Sequence, residues 1–137
     1  MLAAPAHIYI VDDDPSFGRS LRRLLNARGV SADHFESAKA FLDSVPPDRK
    51  EGIVFVDIRM PDCDGFALMD EMHARGYRMP VIVITAHARN DTHKIAMKRG
   101  AAGFLEKPFN ERLLLDLIES LNRGLKRRKF SGVRISD

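Results

Sequence analysis

A lone cysteine, Cys63, is all the sulfhydryl chemistry that 137 residues offer, and it excludes an internal disulfide. That scarcity fits a reducing compartment. No apolar run approaches the roughly 20 residues that a membrane helix needs. The N-terminal stretch "MLAAPAHIYIV" has no basic flank and stops at Asp12. The chain therefore reads as cytoplasmic, with no membrane partner. A true charge surplus is also missing. The net charge is +3, but Lys126, Arg127, Arg128 and Lys129 sit together in "LKRRKF", and without them 18 basic residues face 19 acidic ones. The basicity belongs to a tail, read as a solvated helix end or linker and not as a nucleic-acid contact. Low-complexity segments are absent too, and the length suits one domain with a proper core.

What is present is a regular alternation. "HIYIV" (7–11), "IVFV" (53–56) and "VIVI" (81–84) are continuous apolar runs, the mark of strands covered on both faces. "VSADHF" (30–35) and "AGFLE" (102–106) are weaker and read as edge strands. Helical patterns lie between them. Phe17, Leu21, Leu24 and Leu25 make a stripe that ends before Gly29. "SAKAFLDSV" opens on a capping serine, and "DGFALMDEMHARG" and "NDTHKIAMKRG" each run from a capping residue to a glycine. The last helix carries Leu113, Leu114, Leu117, Ile118 and Leu121 as its core stripe, with Leu115 left to face outward. Strand–helix alternation implies right-handed crossovers. The expected fold is α/β, a single doubly wound five-stranded parallel sheet of order 2-1-3-4-5, flavodoxin-like. Its switch point falls between strands one and three.

The chemistry stands at the carboxyl ends of those strands. Strand one leads into "DDDPS", three successive aspartates, of which Asp14 is explained as a helix cap before Pro15. Asp12 and Asp13 are not so explained, because clustered carboxylates repel. Asp57 follows strand three, Thr85 strand four and Lys107 strand five. In a parallel sheet these five meet at one edge. Hard carboxylate oxygens call for a hard cation, and Mg2+ suits phosphate chemistry. Asp57 can touch the metal and act as nucleophile, forming an acyl phosphate. Lys107 and the Thr85 hydroxyl would hold the remaining phosphoryl oxygens. The bond between Lys107 and Pro108 is a candidate cis peptide.

"VDDDPS", "VDIRMPDCDGF", "PVIVITAH" and "GFLEKPF" together resemble the receiver domain of two-component response regulators, over roughly residues 7 to 122. The sheet order above is that family's own. The resemblance implies that Asp57 is the phosphoacceptor for a histidine kinase. It also implies that Asp12, Asp13, Asp57 and the main-chain carbonyl of Arg59 bind Mg2+. Thr85 and Phe104 would form the conformational switch, and Lys107 would contact the phosphate. A more particular likeness is to nitrogen-fixation-type regulators with a LuxR-like output, which points to transcription regulation. Residues 1–125 then form the receiver domain, and 126–137 a basic tail or the start of a linker. The chain would be no enzyme beyond its own aspartyl phosphorylation and dephosphorylation. Helix four, strand five and helix five would read the signal out, by a phosphorylation-dependent homodimer.

Phe104 lacks the hydroxyl of the tyrosine common at its position, so only its packing role is available. Arg59 and His87 flank the site, and Cys63 reads as a small loop residue. Two other protein classes compete. A haloacid-dehalogenase-like Mg-dependent phosphatase would use Asp12 and Asp14 as its "D-x-D", but it places its nucleophile on strand one and needs a late acidic pair that is missing here. A flavin-binding module would need a Ser/Thr/Gly-rich phosphate loop where "DDDPS" offers repulsion.

Overall fold

Each continuous apolar run becomes a central strand buried on both faces. The computed structural model describes residues 7–49, 51–60, 64–86 and 88–131, with side chains described as far as residue 124. The strands are β1 (Ile8–Val11), β2 (Ala32–Phe35), β3 (Ile53–Asp57), β4 (Val81–Thr85) and β5 (Gly103–Glu106). The helices are α1 (Pro15–Ala27), α2 (Ala38–Ser44), α3 (Gly65–Ala74), α4 (Thr92–Lys98) and α5 (Glu111–Ser131). All pairings are parallel and the order is β2-β1-β3-β4-β5, as expected. β1, β2 and β5 start one or two residues later than the runs suggest, while β3 and β4 start at the first residue of theirs. β3 and β4 extend one residue further, so Asp57 and Thr85 are their last residues.

Alternation sorts the core into two halves. Ile8, Ile10, Ile53, Phe55, Ile82 and Ile84 face α1 and α5. Tyr9, Val11, Val54, Val56, Val81 and Val83 face α2, α3 and α4. Phe41, Phe55 and Leu68 are wholly buried, each contributing about 1.5–3 kcal/mol. The sheet is thus a fixed platform, and its carboxyl edge is where side chains are held in place.

Local chemistry sets the helix starts. Asp14 accepts from the Ser16 and Phe17 N–H groups, Ser37 from Ala40 and Asp64 from Ala67. α3 must begin with glycine, because a Cβ at Gly65 would stand 2.6 Å from the Asp57 carbonyl oxygen. α4 departs from expectation. Asp91 occupies the cap position with helical backbone angles and makes no side-chain cap bond, and the Thr92 hydroxyl accepts from the Arg89 N–H instead. The other end of α4 is tied down. Arg99 pairs with Asp70 of α3 at 2.7 Å and lies over the Phe66 ring at 5.3 Å.

Two leucines of α5 exchange the expected roles. Leu113 is 51% exposed, while Leu115 is half-buried against the α1/α5 half of the core. Leu114, Ile118 and Leu121 fix the inward face, so Leu113 and Leu115 flank it on opposite sides. Leu115 leans toward α1, whose neighbour Arg28 pairs with Glu111. Leu113 stands one turn before Leu117, which packs over Gly103 of β5, the edge strand of the sheet.

Candidate metal and phosphoacceptor site

The carboxyl edge brings together what the sequence placed there. Asp12 follows β1 and is completely buried. Its Oδ1 accepts from the Asp14 N–H at 2.9 Å, and its Oδ2 from the Lys107 ammonium at 2.7 Å. Asp57, 7% exposed, accepts from the Arg59 N–H at 3.3 Å, and Lys107 Nζ lies 4.0 Å from its Oδ2. Asp12, Asp13 and Asp57 each offer an oxygen, all within 4.8 Å of one another. Two magnesium–oxygen bonds laid end to end span about 4.2 Å, so three hard oxygens at this spacing fit that ion with small adjustments.

Charge crowding shows in Asp57. Burial pushes its carboxyl up from 3.8 to about 6; the Asp12 charge adds to this, and Asp13 does so more weakly. The Arg59 amide and the Lys107 ammonium hold it down, without winning. A second cation would relieve all three acids.

Lys107 is steered by its surroundings. Its N–H donates to the Thr85 carbonyl at 2.8 Å, and the bond to Pro108 is cis. Nζ sits 3.8 Å from the centroid of Phe17, which meets Phe109 edge-to-face, so a cation–π contact supports the ammonium. Thr85 is wholly buried at the end of β4. Phe104, opposite Val83 in register, shares its face of the sheet and touches the His93 ring of α4 at 5.1 Å. Arg59 reaches the site through its backbone, with its residue exposed overall. Cys63 and His87 lie outside the described residues.

Sequence reasoning missed the supporting ring of His34, whose Nε2 lies 2.8 Å from the Asp12 carbonyl oxygen. The one available signal was a glycine, Gly18, inside the α1 stripe. The Phe17–Phe109 pair behind Lys107 was also missed, because Phe17 reads as part of the α1 stripe and nothing in the sequence joins it to Phe109. The phosphatase alternative loses its second aspartate: the Asp14 carboxylate is spent on the α1 cap.

A doubly wound parallel α/β sheet with an acidic, lysine-bearing cleft at its switch point is the architecture of a signalling receiver module. The chain belongs to the response regulator receiver domain family, whose family model matches residues 8–119. It is 39% identical over 122 residues to the transcriptional regulatory protein FixJ of Bradyrhizobium diazoefficiens, covering 89% of this chain and 59% of that protein. It is 36% identical to the C4-dicarboxylate transport transcriptional regulatory protein DctD of Pseudomonas aeruginosa, over 93% of this chain and 27% of that one. The crystal structure of full-length FixJ from B. japonicum superposes with a TM-score of 0.83 at 38% identity, over 94% of this chain and 63% of that one. The chain thus spans less than two thirds of the length of these curated relatives. Among the described residues no helix is long and apolar enough to cross a membrane.

Asp13→Ala is expected to keep the fold and to raise the metal-free melting temperature, since it removes one of three mutually repelling carboxylates. The same variant should lose most of the magnesium-induced rise in melting temperature. Melting curves with and without the ion check both. A lower metal-free value with a wild-type magnesium shift would place the acidic pocket elsewhere.

Proposed function

We propose that Asp57 accepts a phosphoryl group from a histidine kinase in a site built from Asp12, Asp13, Thr85 and Lys107. The observation that carries this reading is the meeting of three carboxylates and one ammonium at the ends of β1, β3 and β5. The Asp57 carboxylate oxygen forms the new O–P bond as the donor's N–P bond breaks, giving an acyl phosphate. Asp12, Asp13 and Asp57, with the Arg59 main-chain carbonyl, would hold Mg2+, which when bound neutralises charge on the phosphoryl oxygens. Lys107, already within 4.0 Å of Asp57, moves from Asp12 onto the phosphoryl group. The Thr85 hydroxyl takes another of its oxygens. Beyond this chemistry on its own side chain the domain is no enzyme, and its place is the cytoplasm, beside the nucleotide pool that charges a kinase. Residues 1–125 form the receiver unit and 126–137 a basic tail or the start of a linker, and the unit serves transcription regulation, the role stated in the names of FixJ and DctD.

The test is intact mass and peptide mapping after treatment with acetyl phosphate. One phosphoryl group, on Asp57 and only with magnesium present, is the expected result. A modification that is absent or mapped to another residue overturns the reading.

The added phosphoryl charge, about 1.5 to 2 negative units, draws the Thr85 hydroxyl inward and opens space beside Phe104. The signal then leaves through α4, β5 and α5, by homodimerisation. Among the described residues, Met97 and Leu113 are the large apolar side chains exposed there. In analytical ultracentrifugation, beryllofluoride with magnesium should convert monomer to dimer. Leu113→Glu should weaken that dimer at least tenfold, on the order expected for an apolar interface anchor. A monomer in both states would favour a single-copy shuttle.

A further inference from the structure

His34 stands on the edge strand β2 opposite Ile10, half-buried, with its ring directed at the β1–α1 connection. A carbonyl oxygen only accepts, so the Nε2 that faces the Asp12 carbonyl at 2.8 Å carries the proton and donates. On the other side of the same residue, the Asp12 N–H donates to the Phe35 carbonyl at 3.0 Å. β2 therefore fastens Asp12 twice, once by backbone and once by an imidazole.

The ring has its place because of Gly18. A Cβ on this buried residue of α1 would overlap the His34 imidazole. Glycine inside a helix is unfavourable relative to alanine, and here it has a steric reason. The Asp12 carbonyl belongs to the peptide plane that leads into Asp13. Holding that oxygen sets the position of the Asp13 Cα, and so the direction in which its carboxylate leaves the chain. The Asp12 carboxylate is already fixed by the Asp14 N–H and Lys107. Asp13, the most exposed of the three acids, is the one whose aim depends on its backbone.

Resting on the metal and phosphoacceptor reading above, we propose that His34 is a positioning residue of this site. Its ring locks the Asp12–Asp13 peptide so that Asp13 points into the acidic cluster, and Gly18 is the recess that admits the ring. Groups that orient metal ligands typically change metal affinity by roughly 10- to 100-fold when removed.

Magnesium titration by calorimetry on the full chain tests this in wild type, His34→Leu, His34→Gln and Gly18→Ala. His34→Leu should bind magnesium roughly tenfold more weakly, at the lower end of that range. His34→Gln, whose side-chain amide N–H extends about as far as Nε2, should recover most of the loss. Gly18→Ala improves the helix and displaces the ring, so it should also bind weakly while its metal-free melting temperature stays at or above that of wild type. This second variant keeps the test sound if His34→Leu folds poorly. Wild-type affinity in both His34→Leu and Gly18→Ala overturns the proposal, and so does a glutamine variant as weak as the leucine one. With wild type binding magnesium and phosphorylated on Asp57, those outcomes defeat the positioning role alone. A wild type that binds no magnesium defeats the metal-site reading and this proposal together.

Discussion

Lys107→Met is expected to slow phosphorylation of the domain by acetyl phosphate by roughly 10²- to 10³-fold, the usual loss when one preorganised charge stabiliser is removed from a transition state. Methionine keeps an apolar stem against Phe17 and removes only the charge. The same change leaves the wholly buried Asp12 carboxylate without its 2.7 Å partner. Breaking a buried pair from one side is destabilising by about 3 kcal/mol or more, so urea unfolding at pH 7 without metal should show a loss of that order. Saturating magnesium should restore much of the stability and little of the rate, because the ion replaces the missing charge but not the hydrogen-bond donor. Phosphorylation at the wild-type rate would remove Lys107 from the site.

Asp57→Asn should take no phosphoryl group and should also stabilise the metal-free protein at neutral pH. The folded carboxyl titrates near 6 against an ordinary 3.8, so the native state binds its proton more tightly than the unfolded chain does. Below about pH 4 both states hold the proton and Asp57 imposes no penalty. As pH rises from about 4 to 6 the unfolded chain releases it first, stability falls, and the full penalty stands above 6. A shift of that size corresponds to at most about 3 kcal/mol. The stability difference between Asp57→Asn and wild type, followed by urea unfolding in EDTA, should therefore grow from near zero at pH 4 to a plateau above pH 6. Magnesium should shrink it. A difference that is flat across this window would show that Asp57 is not held at a raised value.

The strands and the site were legible in the sequence for one reason: a parallel sheet puts the end of every strand at the same edge. Unbroken runs such as "VIVI" locate the strands, and the next residue is then a site residue by topology alone. What stayed hidden depends on neighbours distant in sequence. Leu113 and Leu115 are equivalent on a helical wheel. Only the presence of α1 on one side, and the sheet edge at β5 on the other, sends one inward and the other outward. Asn90 reads as the cap of α4, yet the cap position falls on Asp91, no side-chain cap bond forms, and the Thr92 hydroxyl takes up the preceding turn. His34 reads as one more polar residue on an edge strand until Gly18 is seen to make room for it.

The unequal anchoring of α4 makes that helix a lever. Its C-terminal end is pinned to α3 by Arg99, through Asp70 and Phe66. Its N-terminal end has no side-chain cap, and there His93 rests on Phe104. At 1.5 Å per residue the seven-residue helix is about 10 Å long, so a swing of about 10° about the pinned end displaces the other by nearly 2 Å. Were Phe104 to turn, the N-terminal end of α4, which rests on it through His93, is the part that would follow, while Arg99 with Asp70 and Phe66 holds the other end against α3.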